Sequence, residues 1–147
     1  MRNLTILREK TFVASLAKIK IYVEDTSAGD TLINGVKCRK LGEIKNGEEK
    51  TFEIENSATK VFVIADQLSK NYCNEFFELP EGNEDIRLTG KNTFNPFAGN
   101  PFRFNGNNSP EVERARKKGG VVGVVVTILA AVVGFALGYI LVNVMLK

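Results

Sequence analysis

Lys18-Ile-Lys-Ile-Tyr-Val-Glu24 alternates strictly: Ile19, Ile21 and Val23 share one face, and Lys18, Lys20, Tyr22 and Glu24 share the other. Period two with one polar face is the pattern of a half-buried strand. The same pattern recurs outward from it. Residues 51–55 place Phe52 and Ile54 inward and Glu53 and Glu55 outward. Residues 61–64 are apolar on both faces, as in a central strand. Ile86 and Leu88 flank Arg87, Phe102 and Phe104 flank Arg103, and a further strand is predicted over 4–7. Asn34-Gly35 and Asn46-Gly47 stand between such runs, and both dipeptides suit turns that need positive φ. Short strands at this spacing predict a mainly β fold, a small antiparallel β-sandwich head over residues 1–104, rather than βαβ units. The only helical candidate in the head is a polar connector over 65–73.

The C-terminal part reads differently. The 28 residues of 119–146 carry no charge. Within 121–142, fourteen of 22 positions are Val, Ile, Leu or Phe. At 1.5 Å per residue these positions extend about 33 Å, against a hydrocarbon core of about 30 Å. The stretch 119–146 is therefore predicted to be a transmembrane helix, and its terminal position makes it a tail anchor. Gly123, Thr127, Ala130, Gly134 and Gly138 fall three or four residues apart and form one small-residue face. Gly134 and Gly138 make a G-x-x-x-G, the spacing that lets helices approach closely. Homo-oligomerisation, or pairing with another span, stands beside a plain anchor.

Charge supports an orientation. The chain has 20 Lys+Arg and 17 Asp+Glu, net +3, yet residues 1–110 hold 15 of each. The excess sits at the two ends of the apolar run. Arg114, Arg116, Lys117 and Lys118 precede it, in a polar then basic juxtamembrane linker over 105–118, and Lys147 follows. Positive charge stays on the cytoplasmic side, so the head is expected in the cytosol with those four residues facing lipid headgroups. The neutral head argues against a nucleic-acid partner. The first ten residues lack the apolar run of a signal peptide.

Composition removes whole reaction classes. The sequence has no His, so Ser-His and Cys-His pairs and His-ligated zinc are excluded. Cys38 and Cys73 form no C-x-x-C, and both are expected to be structural thiols. A disulfide between them would require an oxidising compartment. The carboxylates Glu48, Glu49, Glu53, Glu55, Glu75, Glu78, Glu81, Glu84 and Asp85 include enough acids for a glycosidase-type pair. Interleaved with Lys45, Lys50 and Lys60, they read instead as a solvated charge face. No enzyme activity, catalytic residue, metal site or cofactor is expected.

Four stretches resemble small bacterial β-sandwich modules of the PEGA type: Ile19-Lys-Ile-Tyr-Val-Glu-Asp25, Leu41-Gly-Glu-Ile-Lys-Asn-Gly-Glu48, Phe52-Glu-Ile54 and Val61-Phe-Val-Ile64. The order is strand, turn, Gly-containing strand, Asn-Gly turn and two further strands, over residues 19–64. Pro80-Glu-Gly-Asn83 is similar to the namesake tetrapeptide, with Asn in its last place. The resemblance implies a non-catalytic accessory domain and carries over no site residues.

One segment remains. Residues 90–108 hold six Asn and four Phe. Phe94 and Phe97 are candidates for recognition of a partner; the alternative is a structured return whose rings cover the end of the sandwich. The expected whole is a tail-anchored, single-pass protein whose head binds or scaffolds a protein partner. The alternative is an accessory subunit of a membrane complex assembled through its span.

Overall fold

The computed structural model describes residues 1–65, 73, 75–93 and 101–145, the side chains at 119, 122, 123, 143 and 145 excepted. The alternating runs become strands: β1 (Arg2–Arg8), β2 (Ile19–Glu24), β3 (Thr31–Ile33), β4 (Val36–Ile44), β5 (Glu49–Ile54), β6 (Lys60–Ile64), β7 (Phe76–Glu78), β8 (Ile86–Asn92) and β9 (Phe102–Phe104). A helix, α1 (Pro110–Met145), follows. The strands form two sheets, one ordered β5-β1-β8-β9 and the other β3-β4-β2-β6-β7. The protein is thus mainly β, with two sheets and one apolar C-terminal helix. Pairing is antiparallel except between β1 and β8, which run parallel with Ile6 opposite Leu88. The helical candidate over 65–73 falls almost entirely outside the described residues.

Apolar side chains of both sheets meet in one interior. Leu4, Ile6, Ile54, Leu88, Phe102 and Phe104 come from the four-stranded sheet, and Ile19, Ile21, Val23, Ile44, Val61 and Val63 from the other. Burying each such side chain stabilises by roughly 1.5–3 kcal/mol. The inward face of β1 reads Arg2, Leu4, Ile6, Arg8, all buried. An arginine therefore closes the interior at either end of that strand. Arg2 donates to the carbonyls of Ala58 and Pro80. Burial depresses the pKa of Arg8, which donates to three backbone carbonyls.

The two Asn-Gly dipeptides take different roles. Asn34 (φ 50°) and Gly35 (φ 80°) are both left-handed and join β3 to β4, with Ile33 opposite Val36. That is the two-residue hairpin turn whose twist matches the strands. At Asn46-Gly47 only Gly47 is left-handed (φ 75°). The chain there crosses to the other sheet, where β5 pairs with β1 and Thr51 lies opposite Thr5. This second turn is a corner between sheets.

Part of the outer face of the five-stranded sheet is also buried. Tyr22, Ile33, Cys38, Phe62, Ile64, Cys73 and Phe76 cluster there with Val112, and Val36 and Ala115 pack against them. Alternation alone assigns Tyr22 to a polar face; it is 4% exposed because the first turns of α1 lie in this cluster. The helix begins within the segment read as a linker. Pro110 occupies its first turn and Ser109 Oγ accepts from the Val112 N–H, a capping arrangement. From Pro110 the helix runs without interruption through Gly119-Gly120 to Met145.

Candidate functional site

The joint between head and helix is built around Glu75. This residue precedes β7, the edge of one sheet, and its carboxylate reaches toward β9, the edge of the other. Glu75 is fully buried. The edge N–H of Phe104 donates to its Oε1 at 2.8 Å. Arg116 donates to both oxygens, through Nε at 3.0 Å and NH2 at 2.9 Å. Arg103 adds a guanidinium at 3.6 Å, and Asn107 donates both to Glu75 and to the Phe76 carbonyl. Burial pushes the Glu75 carboxyl above its ordinary pKa, while the Phe104 N–H and the Arg116 and Arg103 charges draw it back down. Phe77 and Phe104 close the same seam edge to face, with centroids 5.6 Å apart.

Two more contacts fix the helix. Val112 is fully buried, and Glu111 lies 3.4 Å from Lys60. Val112, Ala115 and Arg116 fall on one face by the i, i+3, i+4 rule. Of the four basic residues read as lipid-facing, Arg116 is turned inward to Glu75, with its side chain 19% exposed. Arg114, Lys117 and Lys118 are exposed. The part that Glu75, Asn107 and Val112 play in the joint between head and helix is not evident in the linear sequence. The available signals were the Ser109-Pro110-Glu111 helix start and the spacing of Val112, Ala115 and Arg116.

Beyond the joint, α1 carries the stretch Val124–Val142, 19 residues with mean hydropathy 2.6 and none of it buried. Among the described residues it is the one helix long and apolar enough to cross a membrane. Thr127, Ala130, Gly134 and Gly138 are exposed on it; Gly123 lies in the helix ahead of them. An open apolar groove runs over Ala131, Gly134, Phe135, Gly138, Tyr139 and Val142. Apart from the adjacent residues and the helix's own backbone, nothing stands within 4 Å of where a Cβ would be at Gly134 or Gly138.

The remaining candidates are dispersed. Phe94 and Phe97 lie outside the described residues; of the residues on either side, the Thr93 N–H donates to the Pro101 carbonyl at 2.8 Å. Cys38 and Cys73 are both free and buried, and burial pushes each thiol up to about 12. The carboxylates are spread over many partners: Glu49 with Arg87, Glu48 with Lys50, and Asp85 with the backbone and side chain of Asn3. Glu53, Glu55, Glu81 and Glu84 are exposed. Among the described residues, no group of three or more Cys, Asp or Glu could hold a metal ion. No protein-family model matches the chain, and no curated protein sequence matches it either.

Proposed function

We propose that this is a single-pass, tail-anchored membrane protein whose cytosolic β-sandwich head is a non-catalytic protein-binding or scaffolding module. The observation that carries the reading is the continuity of α1. Its first turns belong to the buried cluster of the head, and its later residues form an exposed apolar stretch long enough to span a bilayer. A head joined in this way is held close to the membrane surface by packed side chains rather than by a free tether. The basic residues Arg114, Lys117 and Lys118 favour the cytoplasmic side. The neutral, histidine-free head and its PEGA-like strand order favour binding over catalysis.

The test is crosslinking and affinity capture from intact membranes with a tagged full-length chain; recovery of no specific protein partner counts against the scaffolding role. Orientation is read separately, with an impermeant maleimide on Asn83→Cys, an exposed turn position. Protection in intact cells and labelling after lysis are expected. Labelling in intact cells reverses the orientation.

The open groove at Gly134 and Gly138 favours a second reading, an accessory subunit held in a membrane complex through its span. Gly134→Leu with Gly138→Leu should then abolish association in a reporter assay of helix pairing, and unchanged association removes this reading.

A further inference from the structure

The connection between β1 and β2, residues 9–18, displays two apolar side chains to solvent. Phe12 is 98% and Leu16 97% exposed, the highest values of any large apolar residue described. This display is built into the fold. Arg8, fully buried, donates to the carbonyls of Ala14, Ala17 and Ile44. Asn92 donates to the Val13 carbonyl, and Asn46 brackets Thr11, accepting from its N–H and donating to its carbonyl. Ala14 is held left-handed at φ 49°. Fixing a loop this firmly while leaving Phe12 and Leu16 unburied is costly unless something covers them.

The course of α1 says what covers them. Glu111 sits beside Lys60, at the start of β6. Arg116 sits on Glu75, whose carbonyl accepts from the Val63 N–H, near the end of β6. The helix thus rises in the direction of β6. Lys20 lies opposite Ile64, so the start of β2, and the loop that precedes it, stand at the end toward which the helix rises. From the level of Val63 to Ile19 is about 7 Å of strand. From Arg116 to Val124, where the apolar stretch begins, is about 12 Å of helix. The loop and the start of the span therefore lie at nearly the same height. Lys10, Lys18 and Lys45 are exposed around the loop, and Arg114, Lys117 and Lys118 around the helix. Three acids also face this region: Glu48 pairs with Lys50, Glu43 with Lys40 and at 4.0 Å with Lys18, and Glu9 accepts from Asn105 and keeps its charge, which leaves the lysines in excess.

We propose that Phe12 and Leu16 insert into the headgroup–acyl boundary of the bilayer that α1 crosses, with the surrounding lysines on anionic lipid. The head then stands end-on, held at two points. The proposal rests on α1 being a membrane anchor. Amphipathic contacts of this kind combine shallow apolar burial with attraction to anionic headgroups.

The test uses the full chain in mixed phosphatidylcholine–phosphatidylserine vesicles, with an environment-sensitive fluorophore on a single introduced cysteine. The positions are Phe12→Cys, Leu16→Cys, Asn83→Cys at the opposite end of the sandwich, and Val133→Cys in the span. Labels at 12 and 16 are expected to be blue-shifted, quenched by spin-labelled lipid and largely protected from iodide, with the label at 83 the reverse. Labels at 12 and 16 as open to iodide as the label at 83 overturn the proposal and leave these side chains to a protein partner. A label at 133 that is open to iodide overturns the anchor and the proposal together. Lipid quenching at 133 with none at 12 and 16 overturns the proposal alone.

Discussion

Arg116 grips Glu75 through two parallel hydrogen bonds of 2.9 and 3.0 Å, across 41 residues of sequence and between α1 and the sandwich. A bidentate guanidinium–carboxylate pair fixes direction as well as distance. Because Glu75 is fully buried, removing Arg116 leaves its charge, among the described residues, with Arg103 as the facing cation beside the Phe104 N–H and Asn107. Arg116→Met is expected to destabilise the head by about 3 kcal/mol, the usual scale for breaking a buried pair. The Glu75 carboxyl, already raised by burial, rises further in this variant. A raised carboxyl favours the fold below its unfolded pKa and penalises it as pH climbs through the folded value. The gap between wild type and Arg116→Met should therefore widen from acid toward neutral pH in thermal melts of the detergent-solubilised chain.

The neighbouring strands β8 and β9 crowd together at Gly90, which lies opposite Phe104. A Cβ there would lie 2.3 Å from the Phe102 ring and 2.6 Å from the Arg103 carbonyl oxygen. The backbone oxygen has little freedom to retreat. Gly90→Ala should cost about 1–3 kcal/mol, the range for overpacking a filled interior. A lower urea midpoint with unchanged slope is the expected readout.

Asp25 accepts from the N–H groups of Ala28 and Ser27, the Ser27 hydroxyl and Arg39. These bonds, Ala28 and Ser27 foremost, hold its carboxyl down at about 2. A depressed carboxyl contributes stability above its unfolded value, near 4, and loses it as pH falls toward the folded value. Melting temperature should drop between these two values. Asp25→Asn should be less stable at neutral pH and flatter through the acid range.

Cys38 and Cys73, pushed up to about 12 by burial, hold negligible thiolate at neutral pH. The thiolate is the reactive species. Iodoacetamide should leave both unmodified in the native chain and alkylate both in denaturant, as read by intact mass. Rapid native modification of either would contradict their burial.

The strands were legible because alternation is local: Ile19, Ile21 and Val23 show their inward face within seven residues. The turn at Asn34-Gly35 was legible for the same reason. Asn46-Gly47 carries the same local signal, but its meaning depends on which strand captures β5. The winner is β1, through Leu4 opposite Phe52 and the Thr5–Thr51 hydroxyl bond. The parallel β1–β8 pairing joins segments some eighty residues apart and has no signature in either. Glu75 is an ordinary acid in its own surroundings, and only Arg103, Phe104 and Arg116 make it a joint. A run of basic residues hides helical periodicity, so in the sequence alone Arg116 looks no different from Arg114, Lys117 and Lys118. Once the helix starts at Pro110, that periodicity sends Arg116 inward with Val112.

The unbroken passage of α1 from the buried cluster into its apolar stretch has a mechanical side. A span tilts to match the thickness of its bilayer, and a stiff helix would hand that tilt to the head as a lever does. The compliant place in the lever is Gly119-Gly120, since adjacent glycines weaken a helix by about 1 kcal/mol each relative to alanine. It falls just past Lys118, between the head and Val124. The rod is rigid below, where Arg116 clamps it, and pliant for one short step above. In the proposed arrangement, bending at that step would let the sandwich keep its footing on the surface while the span leans, so thickness and head attitude become separable quantities.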